Sequence, residues 1–170
     1  FMEFSQDVDV WAGVDTLQLL RNGQKIVSDK GYAWIDFGTV TNKILVKVSI
    51  SSANCEGAAA NLDQELPHWS FDKVRREAKQ QWKRALSRIK VEGGIKEETR
   101  TFYTALYHAY LAPYLFSDAH GNYKGPDGEI HSVGKENQYT VFSLWDTFRA
   151  SHPLFTITQK DRVNDMINSF

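Results

Sequence analysis

The sequence predicts an α+β fold in which antiparallel strands come first and helices follow. Two observations support this class: apolar and polar residues alternate before residue 52, and apolar residues recur at intervals of three and four after it. Alternation is the pattern of a half-buried strand, whereas the second spacing is that of an amphipathic helix. With 42% hydrophobic and 24% charged residues, the 170-residue chain has the composition of a globular protein rather than a disordered one.

Residues 1–52 are interpreted as short antiparallel strands joined by turns, forming one side of a sandwich. Alternating patterns predict strands near residues 2–10, 32–37 and 44–50, and the last of these is the most regular. Asn22-Gly23 lies between two apolar runs and predicts a tight hairpin turn, because a type I′ turn requires positive φ at both central positions.

After residue 52 the pattern predicts helices over residues 56–66, 71–89, 96–111, 139–150 and 159–170. Ser70 is the expected N-cap of the second helix. Pro113 follows the third helix, which it ends because proline lacks a backbone donor. One face of the second helix is rich in Lys and Arg, and we interpret it as a solvated face rather than a surface for RNA or membrane.

Charge and cysteine content restrict the partners of the chain. Lys and Arg total 20 and Asp and Glu total 21, so the formal net charge of −1 argues against nucleic acid or anionic lipid as a partner. Cys55 is the single cysteine, which excludes an internal disulfide and a cysteine-based zinc site. The sequence contains no run of about 18 apolar residues that would predict a membrane span. Its first residues also lack the basic and apolar regions of a signal peptide.

The loop after residue 117 has part of the residue spacing of a calcium-binding EF-hand. Asp118, Asn122 and Glu129 fall at acidic or amide positions of that frame. Tyr123 stands where the sharp turn requires glycine, and His120 stands where an oxygen ligand is expected. The sequence therefore predicts a turn-rich surface loop and not a metal site.

Residues 139–150 carry the candidate chemistry. The segment is apolar nearly all round, which predicts a helix buried on several sides, and Asp146 and Arg149 interrupt it three residues apart on one face. Since an unpaired buried charge is costly, Asp146 is either paired with Arg149 or functional. In the functional alternative, Trp145 stacks on a sugar ring while the two charged side chains hydrogen-bond to its hydroxyl groups.

Residues 139–150, Tyr-Thr-Val-Phe-Ser-Leu-Trp-Asp-Thr-Phe-Arg-Ala, followed by His-Pro-Leu at 152–154, resemble a signature of the bacterial α-mannosidases of glycoside hydrolase family 92. Further stretches resemble the same family in the same order, namely residues 46–51, 56–62, 102–108, 115–118 and 121–125. The similarity extends over residues 40–158 with few gaps.

The resemblance implies an N-terminal β-sandwich, a helical linker and an (α/α)6 barrel that carries the active site. On this basis residues 1–52 are the end of the sandwich, residues 53–93 the linker and residues 94–170 the first barrel helices. A complete barrel needs on the order of 180 residues. We therefore expect an internal piece of a larger enzyme that spans two incomplete domains.

The resemblance also implies a calcium-dependent, inverting exo-α-mannosidase that removes terminal α-linked mannose, with α-1,2 linkages favoured. Trp145 and Asp146 match the part of the signature that contributes to the mannose pocket, and Arg149 is a weaker candidate that orients Asp146. The catalytic acid and base and the calcium ligands are expected downstream of Phe170, so no metal ligand is assigned in this segment. The loop carboxylates match no family motif and receive no catalytic role: Asp118, Glu129 and Glu136.

The expected partners are mannose-containing glycans and the rest of the parent chain. Family resemblance favours export in a bacterium, to the periplasm, the cell surface or the medium. Two other functions remain open at this point. One is a non-catalytic carbohydrate-binding or scaffolding module, and the other is a different (α/α)6 glycosidase or phosphorylase.

Overall fold

The computed structural model describes residues 1–14, 18–21, 31–40, 42–141 and 143–170. The chain divides into two compact units, residues 2–48 and residues 49–170 together with Phe1. The first unit contains β1 (Met2–Phe4), β2 (Asp9–Val14), β3 (Gln18–Arg21), β4 (Gly31–Asp36) and β5 (Val46–Val48). The second contains α1 (Cys55–Glu65), α2 (Phe71–Leu86), α3 (Lys96–Ala109), β6 (Asn122–Lys124), β7 (Ile130–Ser132), α4 (Leu144–Thr147), α5 (Ser151–Thr158) and α6 (Val163–Asn168).

The described strands of residues 2–48 pair in the antiparallel sense, as predicted. β1 pairs with β5, and a second sheet has the order β3–β2–β4. In the second sheet Trp11 lies directly opposite Trp34, and their nearly parallel rings are 6.4 Å apart. Tyr32 stacks on Trp34 at 5.8 Å. Aromatic pairs of this kind stabilise the contact between neighbouring strands.

One predicted strand agrees with the structure, and another is shorter than predicted. The strand predicted at residues 32–37 is confirmed as β4, whereas the one predicted at 44–50 is reduced to β5. β5 pairs with the three residues of β1, and Ile50 beyond it is exposed. The hairpin turn predicted at Asn22-Gly23 lies outside the described residues.

Helices α1, α2 and α3 lie where the sequence predicted them. Asn54 begins α1, and its side-chain oxygen accepts a hydrogen bond from the Gly57 N–H at 2.7 Å. Ser70 begins α2 as predicted, and its Oγ accepts from the Lys73 N–H at 3.4 Å. Both caps satisfy first-turn N–H groups that have no partner inside the helix.

The single helix predicted over residues 139–150 is wrong. The Thr140 N–H donates to the Tyr114 carbonyl at 2.8 Å, and Thr140 Oγ1 accepts from the Tyr114 N–H at 2.9 Å. These bonds keep the backbone extended at this point, so the chain becomes helical only at α4 and then, after a turn, at α5. Pro153 lies in the first turn of α5, where its missing N–H costs no hydrogen bond.

A short β-hairpin, which the sequence patterns did not predict, lies inside the loop of residues 117–137. β6 and β7 pair with Tyr123 opposite His131. Across the turn, Asp127 Oδ2 is 2.9 Å from His131 Nε2. The Glu129 N–H, and after it His131, hold the pKa of the Asp127 carboxyl below its usual value. The loop therefore forms a hairpin and not the helix-flanked loop of an EF-hand.

A small apolar core lies in the helical unit. Tyr139, Phe155 and Met166 are buried together, and Tyr110 and Val163 pack against them. This core joins the residues after α3 to α5 and α6. In the described ranges, no helix is long and apolar enough to cross a membrane.

Candidate functional site

The three predicted sugar contacts lie on the protein surface in and just after α4. Trp145 exposes 79% of its surface, and Asp146 and Arg149 are also exposed. The predicted burial of this segment is therefore wrong. The reason is that α4 is a single turn at the surface and not the middle of a long helix.

Asp146 and Arg149 do not form the ion pair that the sequence offered as a structural explanation. The Arg149 guanidinium carbon instead lies 5.3 Å from the centroid of the Phe148 ring, in a cation–π contact. Within the described residues, the Asp146 carboxylate takes part in no ion pair or side-chain hydrogen bond. Its oxygens are therefore accessible to hydroxyl donors of a ligand.

Contacts to α5 hold α4 in place. Thr147 Oγ1 donates to the Ser143 carbonyl at 3.0 Å and lies 2.6 Å from His152 Nε2. The Asp146 N–H donates to the same carbonyl at 3.2 Å. Trp145 and Asp146 are therefore neighbours on a turn whose backbone is fixed at both ends.

Asp118 has a structural role that the sequence did not indicate. It exposes 7% of its surface, and its Oδ1 accepts hydrogen bonds from the N–H groups of His120 and Asn122, both at 2.9 Å. Ser51 Oγ donates to Oδ2 at 3.3 Å. The carboxylate thus closes its own turn and connects that turn to the segment before α1.

Gly57 lies in the first turn of α1, against this carboxylate. A Cβ atom at residue 57 would stand 2.0 Å from Asp118 Oδ2 and 2.9 Å from Ser51 Oγ. No side chain fits at this distance, so the close approach requires glycine. A carboxylate at this end of a helix is also favoured by the helix dipole. No local pattern signals the contact, because its partners lie far apart in the sequence.

The other loop carboxylates do not converge on a site. Glu136 Oε2 accepts a hydrogen bond from Asn168 Nδ2 at 3.4 Å. Among the residues that the structure describes, no group of three His, Cys, Asp or Glu side chains could hold a metal ion. These residues do not fit the calcium ion that the family resemblance implies.

Two larger cavities lie in the helical unit. The first, of about 330 Å³, lies between α2, the segment after α3 and the connection from α5 to α6. We call it the Gln159 cavity, and its lining includes Trp82, Arg88, Tyr110, Tyr114, Gln159 and Arg162. The second is an apolar groove of about 330 Å³ beside α4, α5 and α6, and its lining includes Leu144, Phe155 and Met166. No sequence motif predicted the Gln159 cavity, because its lining comes from three separate stretches.

Arg88 is fixed at the edge of the Gln159 cavity by a bidentate ion pair. Its Nη1 and Nη2 lie 3.0 and 3.2 Å from Oδ1 and Oδ2 of Asp161. Nη1 also donates to the Thr158 carbonyl. The hydrogen bonds to Asp161 raise the pKa of Arg88 and hold the pKa of the Asp161 carboxyl below its usual value.

Comparison with known families decides the class of protein. The family model described as the glycosyl hydrolase family 92 catalytic domain matches residues 57–170. The chain belongs to glycosyl hydrolase family 92. The matched region contains Gly57, Asp118, Trp145 and Asp146, so it includes both the structural carboxylate and the predicted sugar contacts.

Solved family 92 structures cover 99% of this chain. An α-mannosidase from Bacteroides thetaiotaomicron is 29% identical, with a TM-score of 0.73, and the chain covers 24% of it. Its complex with mannoimidazole gives the same identity and TM-score, with 23% of that chain covered. A further family 92 glycosyl hydrolase, 22% identical with a TM-score of 0.78 and 22% covered, supports the fold alone.

A curated relative supports the glycosidase class. It is an uncharacterized secreted glycosidase of Arthroderma benhamiae, 31% identical over 91 residues. The match covers 49% of this chain and 12% of that protein. The chain thus spans less than a quarter of the length of each relative compared.

Proposed function

We propose that the chain is part of an exo-acting α-mannosidase that hydrolyses terminal α-linked mannose, with α-1,2 linkages favoured. The observation that carries the proposal is 29% identity to a family 92 α-mannosidase over 99% of this chain. The mannoimidazole complex of that enzyme supports a mannose-containing glycan as the substrate.

The proposed architecture follows the family. Residues 1–52 form the end of a β-sandwich, residues 53–93 the helical linker and residues 94–170 the first helices of an (α/α)6 barrel. The antiparallel sheets of residues 2–48 and the succession of helices after residue 54 support this division. The exposed apolar side chains of α4, α5 and α6 support a barrel whose other helices pack on this face.

In the proposed site, Trp145 and Asp146 contact the terminal mannose. The exposed indole of Trp145 offers a flat apolar surface to the C–H face of the sugar ring. The free oxygens of Asp146 accept hydrogen bonds from its hydroxyl groups, and a hydrogen bond to a charged acceptor is stronger than one to a neutral acceptor. Arg149 is the weaker candidate, because its guanidinium lies on Phe148 and not on Asp146.

Hydrolysis with inversion is proposed for the whole enzyme. It requires one carboxylic acid that protonates the leaving oxygen and one carboxylate that activates water, separated by about 6.5–9.5 Å. Asp118 serves neither role, since its oxygens are occupied in its own turn. This 170-residue chain covers 24% of the α-mannosidase that it matches. We therefore assign the acid, the base and the ligands of a calcium cofactor to other parts of the enzyme.

Export of the enzyme is also proposed, to the periplasm, surface or medium of a bacterium. The description of the Arthroderma benhamiae relative as secreted supports export. The rest of the parent chain is then the partner that completes the site.

The test is an assay of the full-length enzyme on α-1,2-mannobiose, with the anomer of the released mannose followed by proton NMR. We expect release of β-mannose, and loss of activity with a calcium chelator that added calcium restores. A matched α-glucoside and inorganic phosphate serve as controls. Turnover of the glucoside, or formation of a sugar phosphate, would indicate another glycosidase or a phosphorylase. Binding of mannobiose without turnover would indicate a non-catalytic module.

A further inference from the structure

Gln159 is buried in the connection between α5 and α6, and its side-chain amide is unused. The residue exposes 6% of its surface. Its backbone is satisfied, because its N–H donates to the Phe155 carbonyl and its carbonyl accepts from the Arg162 N–H, both at 2.8 Å. Within the described part of the chain, its side chain makes no hydrogen bond. Because Gln159 lines the cavity, a ligand there would meet an amide that has no protein partner among the described residues.

Tyr110 adds a second unused polar group to the same cavity. Its ring lies 6.5 Å from the Phe155 ring in the apolar core. Its hydroxyl oxygen is buried and has no hydrogen-bond partner among the described residues. Gln159 and Tyr110 both line the Gln159 cavity. Two unpaired polar groups at one cavity point to a ligand more strongly than either does alone.

The rest of the lining suits a small ring-shaped ligand. Arg88 is fixed by Asp161, and the Trp82 ring packs on Tyr107 at 4.5 Å, so both are held in place before a ligand binds. Arg162 forms no ion pair with any described carboxylate. The volume of about 330 Å³ lies at the lower end of the range for small-molecule pockets.

We propose that the Gln159 cavity binds one pyranose residue of a glycan. A sugar hydroxyl both donates and accepts, so it matches the Gln159 amide, which has N–H donors and a carbonyl acceptor, and the Tyr110 hydroxyl. An anion only accepts and would leave the Gln159 carbonyl oxygen without a partner. Trp82 supplies the apolar surface for the C–H face of the ring. This binding role goes beyond the proposed hydrolysis, and neither depends on the other.

The test uses the full-length protein labelled with 5-fluorotryptophan, and the probe is methyl α-D-mannopyranoside. The ¹⁹F resonance of Trp82 is assigned by its absence in Trp82→Phe. On titration we expect this resonance to shift and to saturate, with a Kd of about 1–10 mM, as suits a ligand held by few groups.

Two variants remove the unused polar groups one at a time. Gln159→Met keeps the length of the side chain without its amide, and we expect about tenfold weaker binding. The Tm of the same variant is measured as well, to show that its fold is kept. Tyr110→Phe removes only the hydroxyl and should weaken binding about threefold or more. Gln80→Met, on the exposed face of α2, is the matched control and should leave both Kd and Tm unchanged.

Three results would overturn the proposal. They are a Trp82 resonance that does not saturate, an unchanged Kd in both Gln159→Met and Tyr110→Phe, and a larger response to inorganic phosphate than to the mannoside, which would assign the cavity to an anion. Hydrolysis of α-1,2-mannobiose is measured in the same samples. Saturable binding at Trp82 without hydrolysis would refute the proposed function alone, and hydrolysis without binding at Trp82 would refute the sugar-binding cavity alone.

Discussion

Asp118 and Asp146 lie in two stretches that resemble the same family, yet their surroundings are opposite. Asp118 is buried, and three donors reach its oxygens at 2.9, 2.9 and 3.3 Å. Asp146 is exposed on α4, and no side chain or cation of the described residues binds its carboxylate. A carboxylate with occupied oxygens holds the fold together, whereas one with free oxygens can bind a ligand. Hydrogen-bond partners therefore distinguish the structural aspartate from the candidate site aspartate.

Removal of the Asp118 carboxylate should have the largest effect on stability. In Asp118→Ala the N–H groups of His120 and Asn122 lose their acceptor inside the protein. We expect a loss of about 3 kcal/mol in the free energy of unfolding, measured by calorimetry on the full-length enzyme. Asp63→Ala, at an exposed position of α1, is the control and should change stability by less than about 0.5 kcal/mol. Equal small losses in both variants would refute the structural role of Asp118.

Gly57→Ala tests the close approach between α1 and the same carboxylate. Alanine in place of glycine normally stabilises a helix, but here the added Cβ would lie 2.0 Å from Asp118 Oδ2. We therefore expect a loss of about 1–3 kcal/mol. In the Asp118→Ala background the cost should largely disappear, because the two residues act on the same contact. Strictly additive losses in the double variant would contradict this account.

Asp161 stands between the two extremes, since it is exposed but paired with Arg88. The pKa of its carboxyl is lower in the folded protein than its usual value. The pair therefore stabilises the fold above the unfolded-state pKa of about 3.9 and stops doing so as the pH falls through the lower folded-state pKa. Asp161→Asn should cost about 0.5 kcal/mol at pH 7, a surface-pair value. Chemical unfolding at several pH values gives the difference in unfolding free energy between the unsubstituted protein and Asp161→Asn. This difference should vanish in acid, and a difference that is independent of pH would contradict the pairing.

Asp146→Asn should have the smallest effect on stability. The carboxylate makes no side-chain contact with a described residue, so its loss removes no interaction that holds the fold. We expect a change of less than about 0.5 kcal/mol in the same calorimetric assay. A loss as large as that of Asp118→Ala would remove the distinction between the two aspartates.

The sequence predicted the elements that depend on local patterns. Helices α2 and α3 and the Ser70 cap follow from apolar spacing and capping chemistry within a few residues, and α1 follows from its alanine-rich composition. The prediction failed at residues 139–150, because Thr140 is held extended by hydrogen bonds to Tyr114, which no local pattern shows. The short hairpin of β6 and β7 was missed for a related reason, since strands of three residues are too short for alternation to be visible.

The candidate site, too, was predictable from the sequence only in part. Trp145 and Asp146 came from a family signature, so the sequence alone could name them. The contact of Gly57 with Asp118 and the burial of Gln159 could not be named, because each depends on segments far apart in the chain that meet only in the fold.

The most direct test of the central claim is the kcat/KM of Asp146→Asn on an α-mannoside, measured on the full-length enzyme together with its Tm. If Asp146 binds the terminal mannose, kcat/KM should fall at least about tenfold, or about 1.4 kcal/mol of transition-state stabilisation, at an unchanged Tm. Asp63→Asn should retain full activity. An unchanged kcat/KM with a lowered Tm would contradict the account and make Asp146 a structural residue.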